Sequence, residues 1–119
     1  MHILGISCFY HDSAAAILRD GVLIAASEEE RFSRVKHDFG FPELAIEFCL
    51  SKAGIEAGDL DYVVFYEKPF QKFDRILNTV LQTYPGSLKV FQEAMINWFG
   101  DKLWVKGIIF KRLGIPLEK

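Results

Sequence analysis

Three short apolar runs open the chain, residues 3–8, 14–18 and 22–26, and they restrict the fold more than anything that follows. Each is too short for a helix and is bounded by turn-forming residues, so each predicts a β-strand. Asp20-Gly21 joins the second run to the third. That pair tolerates the positive φ of a type I′ turn and predicts a hairpin. The runs are nearly continuous rather than alternating, which predicts a sheet covered on both faces, with helices as the cover.

The next pattern is helical. Pro42 suits a first helical turn, and Glu43, Glu47 and Ser51 recur every four residues while Leu44, Ala45, Ile46, Phe48, Cys49 and Leu50 fill the positions between. Only a narrow stripe is expected to face water, and Gly54 is placed to end the helix. After a polar stretch containing Gly58, Tyr62-Val63-Val64-Phe65-Tyr66 is β-branched and aromatic, bounded by Pro69, and predicts a fourth strand. A strand, a helix and another strand form a crossover, so the fourth strand should lie parallel to a neighbour through a right-handed connection. The expected order is βββαβ, an α/β unit with a mixed sheet.

From residue 70 to 113 the pattern is helical, with breaks expected at Tyr84-Pro85-Gly86 and Gly100-Asp101, giving two or three helices. The change of pattern near Pro69 is the one internal boundary: 1–68 as a βββαβ core, 69–119 as a helical insert. A chain of 119 residues, 50% hydrophobic and 25% charged, is one globular domain rather than a disordered or collagen-like one.

Fourteen basic against sixteen acidic residues leave no chain-wide positive field for nucleic acid. The excess of positive charge is confined to residues 101–119. Cys8 and Cys49 form neither a CxxC pair nor a disulfide framework, which fits a reducing compartment, and the cytoplasm is expected. No basic n-region precedes an apolar stretch and no run of eighteen apolar residues occurs, so neither export nor membrane spanning is expected.

Two strings identify a relationship: Gly5-Ile6-Ser7-Cys8-Phe9-Tyr10-His11-Asp12-Ser13-Ala14-Ala15-Ala16 and Glu29-Glu30-Arg31-Phe32-Ser33-Arg34-Val35-Lys36-His37-Asp38. They resemble the O-carbamoyltransferases, the family of the nodulation-factor, cephamycin and tobramycin carbamoylating enzymes. The resemblance runs from residue 1 to about 66 and is loose beyond Pro69. It implies the actin-like, ribonuclease H-like fold of sugar kinases and Hsp70, which begins with such a βββαβ unit. It also implies biosynthetic chemistry in which carbamoyl phosphate and ATP give a carbamoyl-adenylate, whose carbamoyl group passes to a hydroxyl of a sugar or other small molecule. Family members are several times longer. A histidine-rich divalent-metal motif, the second half of the actin-like domain and the domain that activates carbamoyl phosphate are then expected beyond Lys119, and this stretch would be an N-terminal piece, inactive alone.

The turn after the first strand carries Tyr10-His11-Asp12-Ser13. In actin-like folds that turn faces nucleotide phosphates, where backbone N–H groups and small hydroxyls bind anions. His11 is the expected catalytic residue: an imidazole can take the proton of an acceptor hydroxyl as it attacks the carbamoyl carbon, with Asp12 as orienting partner and Asp12 and Ser13 near the nucleotide. The plainer alternative is a turn histidine capped by its neighbour. Arg31, Arg34, Lys36 and His37 follow three glutamates and could grip phosphate or carboxylate; Arg31, Lys36 and His37 are the expected binding residues, against the alternative of a solvated loop. The pairs His11-Asp12 and His37-Asp38 invite a metal. Adjacent residues in a strand point to opposite sides, and no metal is assigned to this stretch.

Phe91, Trp98, Phe99, Trp104 and Phe110, with Lys102, Lys106, Lys111 and Arg112, could form a basic amphipathic surface for a membrane or partner. Core packing is the preferred reading. The alternatives to a carbamoyltransferase are a tRNA threonylcarbamoyladenosine-forming ATPase, whose strings match less well, and a non-catalytic interaction module using the basic aromatic helices. The expected partners are a hydroxyl acceptor and the rest of the longer chain, without nucleic acid or membrane.

Overall fold

Asp20 and Gly21 take φ of 52° and 82°, the pair of left-handed residues that a two-residue hairpin turn of matching twist requires. In the computed structural model, which describes residues 1–97 and 104–116, this turn joins β2 (Ala14–Arg19) to β3 (Val22–Glu28) in antiparallel pairing. The first strand, β1 (His2–Ser7), pairs antiparallel with β2 on one side. On its other side it pairs parallel with β4 (Tyr62–Phe65), giving the sheet order β3-β2-β1-β4. The βββαβ order and the parallel placing of the last strand both agree with the expectation.

Between β3 and β4 the chain forms a one-turn helix α1 (Glu30–Ser33), then α2 (Glu43–Ala53) and a 3-10 turn (Ala57–Asp59). Gly54 ends α2 in the left-handed conformation at φ 67°, its amide donating to the Leu50 and Ser51 carbonyls, which satisfies carbonyls a helix end leaves orphaned. Ala45, Ile46, Cys49 and Ala53 form its buried stripe, at the i, i+1, i+4, i+8 spacing of one helix face.

Register decides which sheet face meets α2. One row across the strands is Val63, Leu4, Ile17, Ala25 and the next is Phe65, Ile6, Ala15, Ser27. Leu4, Ile6, Ala15 and Ile17 are buried, and the Cys49 thiol donates to the Ala15 carbonyl at 3.5 Å, so this is the face under the helix. Each fully buried Leu or Ile there contributes about 1.5–3 kcal/mol.

The alternate row is Val64, Gly5, Ala16, Ala26. These residues, with Ala14 and Tyr66, line an open hollow of about 560 Å³ on the opposite face. The expectation of helices on both faces is met on one face, which α2 covers; on the other, small side chains of the first unit line the trough. A further expectation changes: Leu44 is 41% exposed, so the water-facing side of α2 is wider than a single stripe. The one-turn α1 is an element outside the expected order.

The described chain divides into two units: Met1–Tyr66 together with the segment that starts at Leu113, and Glu67–Arg112. The second contains α3 (Pro69–Thr83), α4 (Leu88–Asn97) and most of α5 (Val105–Leu113). Pro69 stands at N1 of α3, where its missing N–H costs nothing. The break read at Tyr84-Pro85-Gly86 separates α3 from α4, and the Ser87 hydroxyl donates back to the Val80 carbonyl at 2.8 Å. The break read at Gly100-Asp101 lies outside the described residues, as do Trp98, Phe99 and Lys102. On α5 Phe110 is buried with Val105 and Ile109, in keeping with core packing, whereas Trp104 is 62% exposed and does not pack as expected. No helix among the described residues is long and apolar enough to cross a membrane.

Candidate active site

Where β1 ends, the chain must reverse into β2 within residues 8–13, and it does so at a steric cost. Phe9 and Asp12 lie in the left-handed region at φ 66° and 46°, which is uncommon for a non-glycine residue and unfavourable for an aromatic one. Such conformations persist only where the surroundings hold them. A second loop does so: the Phe9 amide donates to the Phe39 carbonyl at 2.8 Å, and the Ser13 amide to the Asp38 carbonyl at 2.7 Å. That loop contains its own left-handed residues, Arg34 and His37. Asp38 braces it by accepting the Gly40 amide at 2.9 Å. The Gly40 amide, then the Ser33 side chain, hold the Asp38 carboxyl below its usual range.

Ser13 is the centre of this zipper. Its hydroxyl donates to the Gly40 carbonyl at 2.6 Å, its carbonyl accepts the Glu29 amide at 2.8 Å, and the residue is 1% exposed. The structure thus places Ser13 inside the protein, its hydroxyl committed, rather than facing a nucleotide. Cys8 beside it is also buried, and burial pushes its thiol up to about 12. It is no nucleophile.

The two loops bring His11, Asp12 and His37 together. Asp12 Oδ2 lies 2.8 Å from His11 Nδ1 and Asp12 Oδ1 lies 2.8 Å from His37 Nδ1, so one carboxylate bridges two imidazoles. The His37 bond, then the His11 bond, hold the Asp12 carboxyl below its usual range, and Asp12 raises His37 above the ordinary imidazole value. The Tyr10 ring rests against His11 with centroids 4.6 Å apart.

Glu30, on α1, is the member the sequence reading missed. Its carboxylate accepts the His37 amide at 3.1 Å, and ligand atoms of Asp12, Glu30 and His37 lie within 4.8 Å of one another. Both His-Asp pairs sit in loops, so the alternation of side chains along a strand does not keep their members apart. Two carboxylates and an imidazole are an ordinary donor set for a divalent ion. Here, however, His37 Nδ1 is spent on Asp12 and Glu30 on an amide, so the group closes on itself as a hydrogen-bonded cluster. Nothing in the sequence between residues 12 and 37 announces the contact, since it depends on the left-handed turn at His37.

Arg31, Arg34 and Lys36 line a small hollow of about 230 Å³ with Glu30 and Val35. Arg31 also faces Glu28 at 3.8 Å. Three of the four candidate cations, two of them expected binding residues, thus surround one concavity, joined to the imidazole cluster through Glu30 and the short chain from Lys36 to His37.

The family model described as "Carbamoyltransferase N-terminus" matches residues 2–118. This chain belongs to that family. Among relatives, an uncharacterized protein of Synechocystis sp. is 52% identical over 94% of the chain. The nodulation protein NolNO of Sinorhizobium fredii is 34% identical over 92%. The carbamoyltransferase N-terminal domain seen here spans 18% of the first protein's length and 15% of the second's. The match also extends well past Pro69, where the sequence reading found the resemblance loose.

Proposed function

We propose that this domain supplies the acceptor-activating base of an ATP-using O-carbamoyltransferase, and that His11 is that base. One observation carries the reading: His11 stands on the turn leaving the first strand with Nδ1 tied to Asp12 at 2.8 Å, which leaves Nε2 as the ring's reactive nitrogen. In the proposed step a small-molecule or sugar hydroxyl oxygen attacks the carbamoyl carbon of carbamoyl-adenylate. The bond from that carbon to the phosphate oxygen breaks, AMP departs with the electron pair, and the hydroxyl proton passes to His11 Nε2. Nothing is oxidised or reduced.

Arg31, Lys36 and His37 would offset the charge of the anionic donor, which forms from carbamoyl phosphate and ATP. Asp12 would orient His11. Most nucleotide contacts, and a divalent metal, would come from the remainder of the longer protein, so the domain alone would be inactive; the setting proposed is biosynthetic and cytoplasmic. Radiolabelled carbamoyl phosphate, ATP and a panel of sugars and alcohols, incubated with the longer protein, provide the test. His11→Ala should lower ATP-dependent label transfer by about 10²–10⁴-fold, the usual worth of a general base. Transfer at the parent rate would end the reading.

A further inference from the structure

Asp12 offers a feature that the role of a simple partner to His11 does not require. Its two carboxylate oxygens are divided, Oδ2 to His11 Nδ1 and Oδ1 to His37 Nδ1, each at 2.8 Å. The carboxyl is held ionised by these same bonds, and an ionised carboxylate only accepts. Each Nδ1 therefore carries its hydrogen whatever the charge on the ring. In both imidazoles Nε2 is the only nitrogen left for a reactant, and neither Nε2 has a hydrogen-bond partner among the described residues.

The two rings are not equivalent. Glu30 adds a second carboxylate at His37, accepting its amide at 3.1 Å, whereas His11 faces Asp12 and the Tyr10 ring. The other charged groups around the loop are Arg31, Arg34 and Lys36, which share the hollow with Glu30, Arg31 also facing Glu28, and Asp38, which is turned to the Gly40 amide. Positive charge is best placed on the ring with two carboxylates, and His37 is raised with Asp12 as the first cause and Glu30 as a further one.

We propose that Asp12 is the shared positioning residue of a two-imidazole device, fixing both rings by Nδ1 so that His11 presents Nε2 to the acceptor while His37 presents a cationic N–H to the anionic leaving group. This deepens the carbamoyl-transfer reading and rests on it for the identity of the two reactants.

Long-range proton–nitrogen correlation spectra of the nitrogen-labelled chain, titrated with pH, test the device without any turnover. The expected result is the Nδ1–H tautomer in both His11 and His37, with His37 losing its proton above the ordinary value of about 6.5. In Asp12→Asn, which keeps a side chain tolerant of the left-handed turn, the amide oxygen can serve only one ring. At least one ring should then become a tautomer mixture, and the His37 midpoint should fall toward its ordinary value, with Glu30 still holding part of the rise. His2, whose Nε2 accepts from Arg19 at 3.0 Å, should not change and reports an intact fold. Nε2–H in either ring of the parent chain, or an Asp12→Asn spectrum unchanged at both, overturns the device even if the longer protein transfers carbamoyl groups. Full transfer activity in His11→Ala, by contrast, removes the reactant assignment while the spectra stand.

Discussion

Asp12 and His37 shift in opposite directions because each stabilises the charged form of the other. For Asp12, depressed on folding, the stabilisation is present above its unfolded value of about 3.9 and is lost as pH falls through the folded value. For His37, raised on folding, it is present below about 6.5 and is lost as pH rises through the folded value. The two windows overlap from about pH 4 to 6.5. The pH-dependent part of the stability difference between the parent chain and Asp12→Asn should be largest there and shrink on both sides, measured by urea midpoints across pH. His37 is exposed and Asp12 half-buried, so the effect should also fade with added salt; a difference flat from pH 3 to 9 would contradict the pairing. The local string made His11 and Asp12 legible as neighbours, and their types announced proton chemistry. Ser13 was not legible, because only its burial against Gly40 separates a structural hydroxyl from a ligand-binding one. Glu30 was lost among three glutamates that look alike until one folds toward His37.

The start of α2 raises a capping problem that its own residues do not solve. Pro42 occupies the N-cap without a side-chain hydrogen bond, and proline has nothing to offer an orphan amide. Glu29 solves it from fourteen residues upstream of Glu43: its carboxylate accepts the Leu44 amide at 3.1 Å and the Ala45 amide at 2.8 Å while only 5% exposed. A buried anion at a helix N-terminus also meets the positive end of the helix dipole. Glu29→Ala should therefore destabilise the domain by about 2–3 kcal/mol, since it removes charge-assisted bonds and leaves two amides unpaired. Glu29→Gln should retain part of that. Chemical denaturation of both variants checks the ranking, and an alanine variant as stable as its parent would show that water caps the helix instead. Elements were otherwise well announced. The hairpin followed from Asp20-Gly21, α2 from its apolar spacing and Gly54, and β4 from its β-branched run. The one-turn α1 had no such signal: four residues carry no period, and its helix is held from outside, with Phe32 packed on Phe48 at 5.5 Å between ring centroids.

For the molecule as a whole, the strand composition was read correctly, and within the first unit α2 supplies the cover on one face of the sheet. Continuous apolar runs do mark strands with two non-polar faces, yet the row Val64, Gly5, Ala16, Ala26 presents mostly methyl groups and a glycine. A strand pattern reports whether a face is apolar; it does not report which element packs on it. A Cβ built on Gly5 would meet only the Ala16 carbonyl oxygen, at 3.8 Å, so the trough is a property of small side chains rather than of crowded backbone. Beside it, β3 is an edge strand with Val22 and Leu23 more than half exposed, and unpaired edges next to apolar surface favour association between chains. This chain, studied alone, should bind an apolar dye and sediment with a concentration-dependent coefficient. Ala26→Lys places a charge on the edge of the trough where its stem can lie along the methyl groups. It should weaken both signals while changing stability by no more than about 0.5 kcal/mol, as is usual for an exposed site. A parent chain that stays monomeric and dye-free at high concentration would mean that the trough is too shallow to act as a surface, and that its small residues serve only the close packing of the strands.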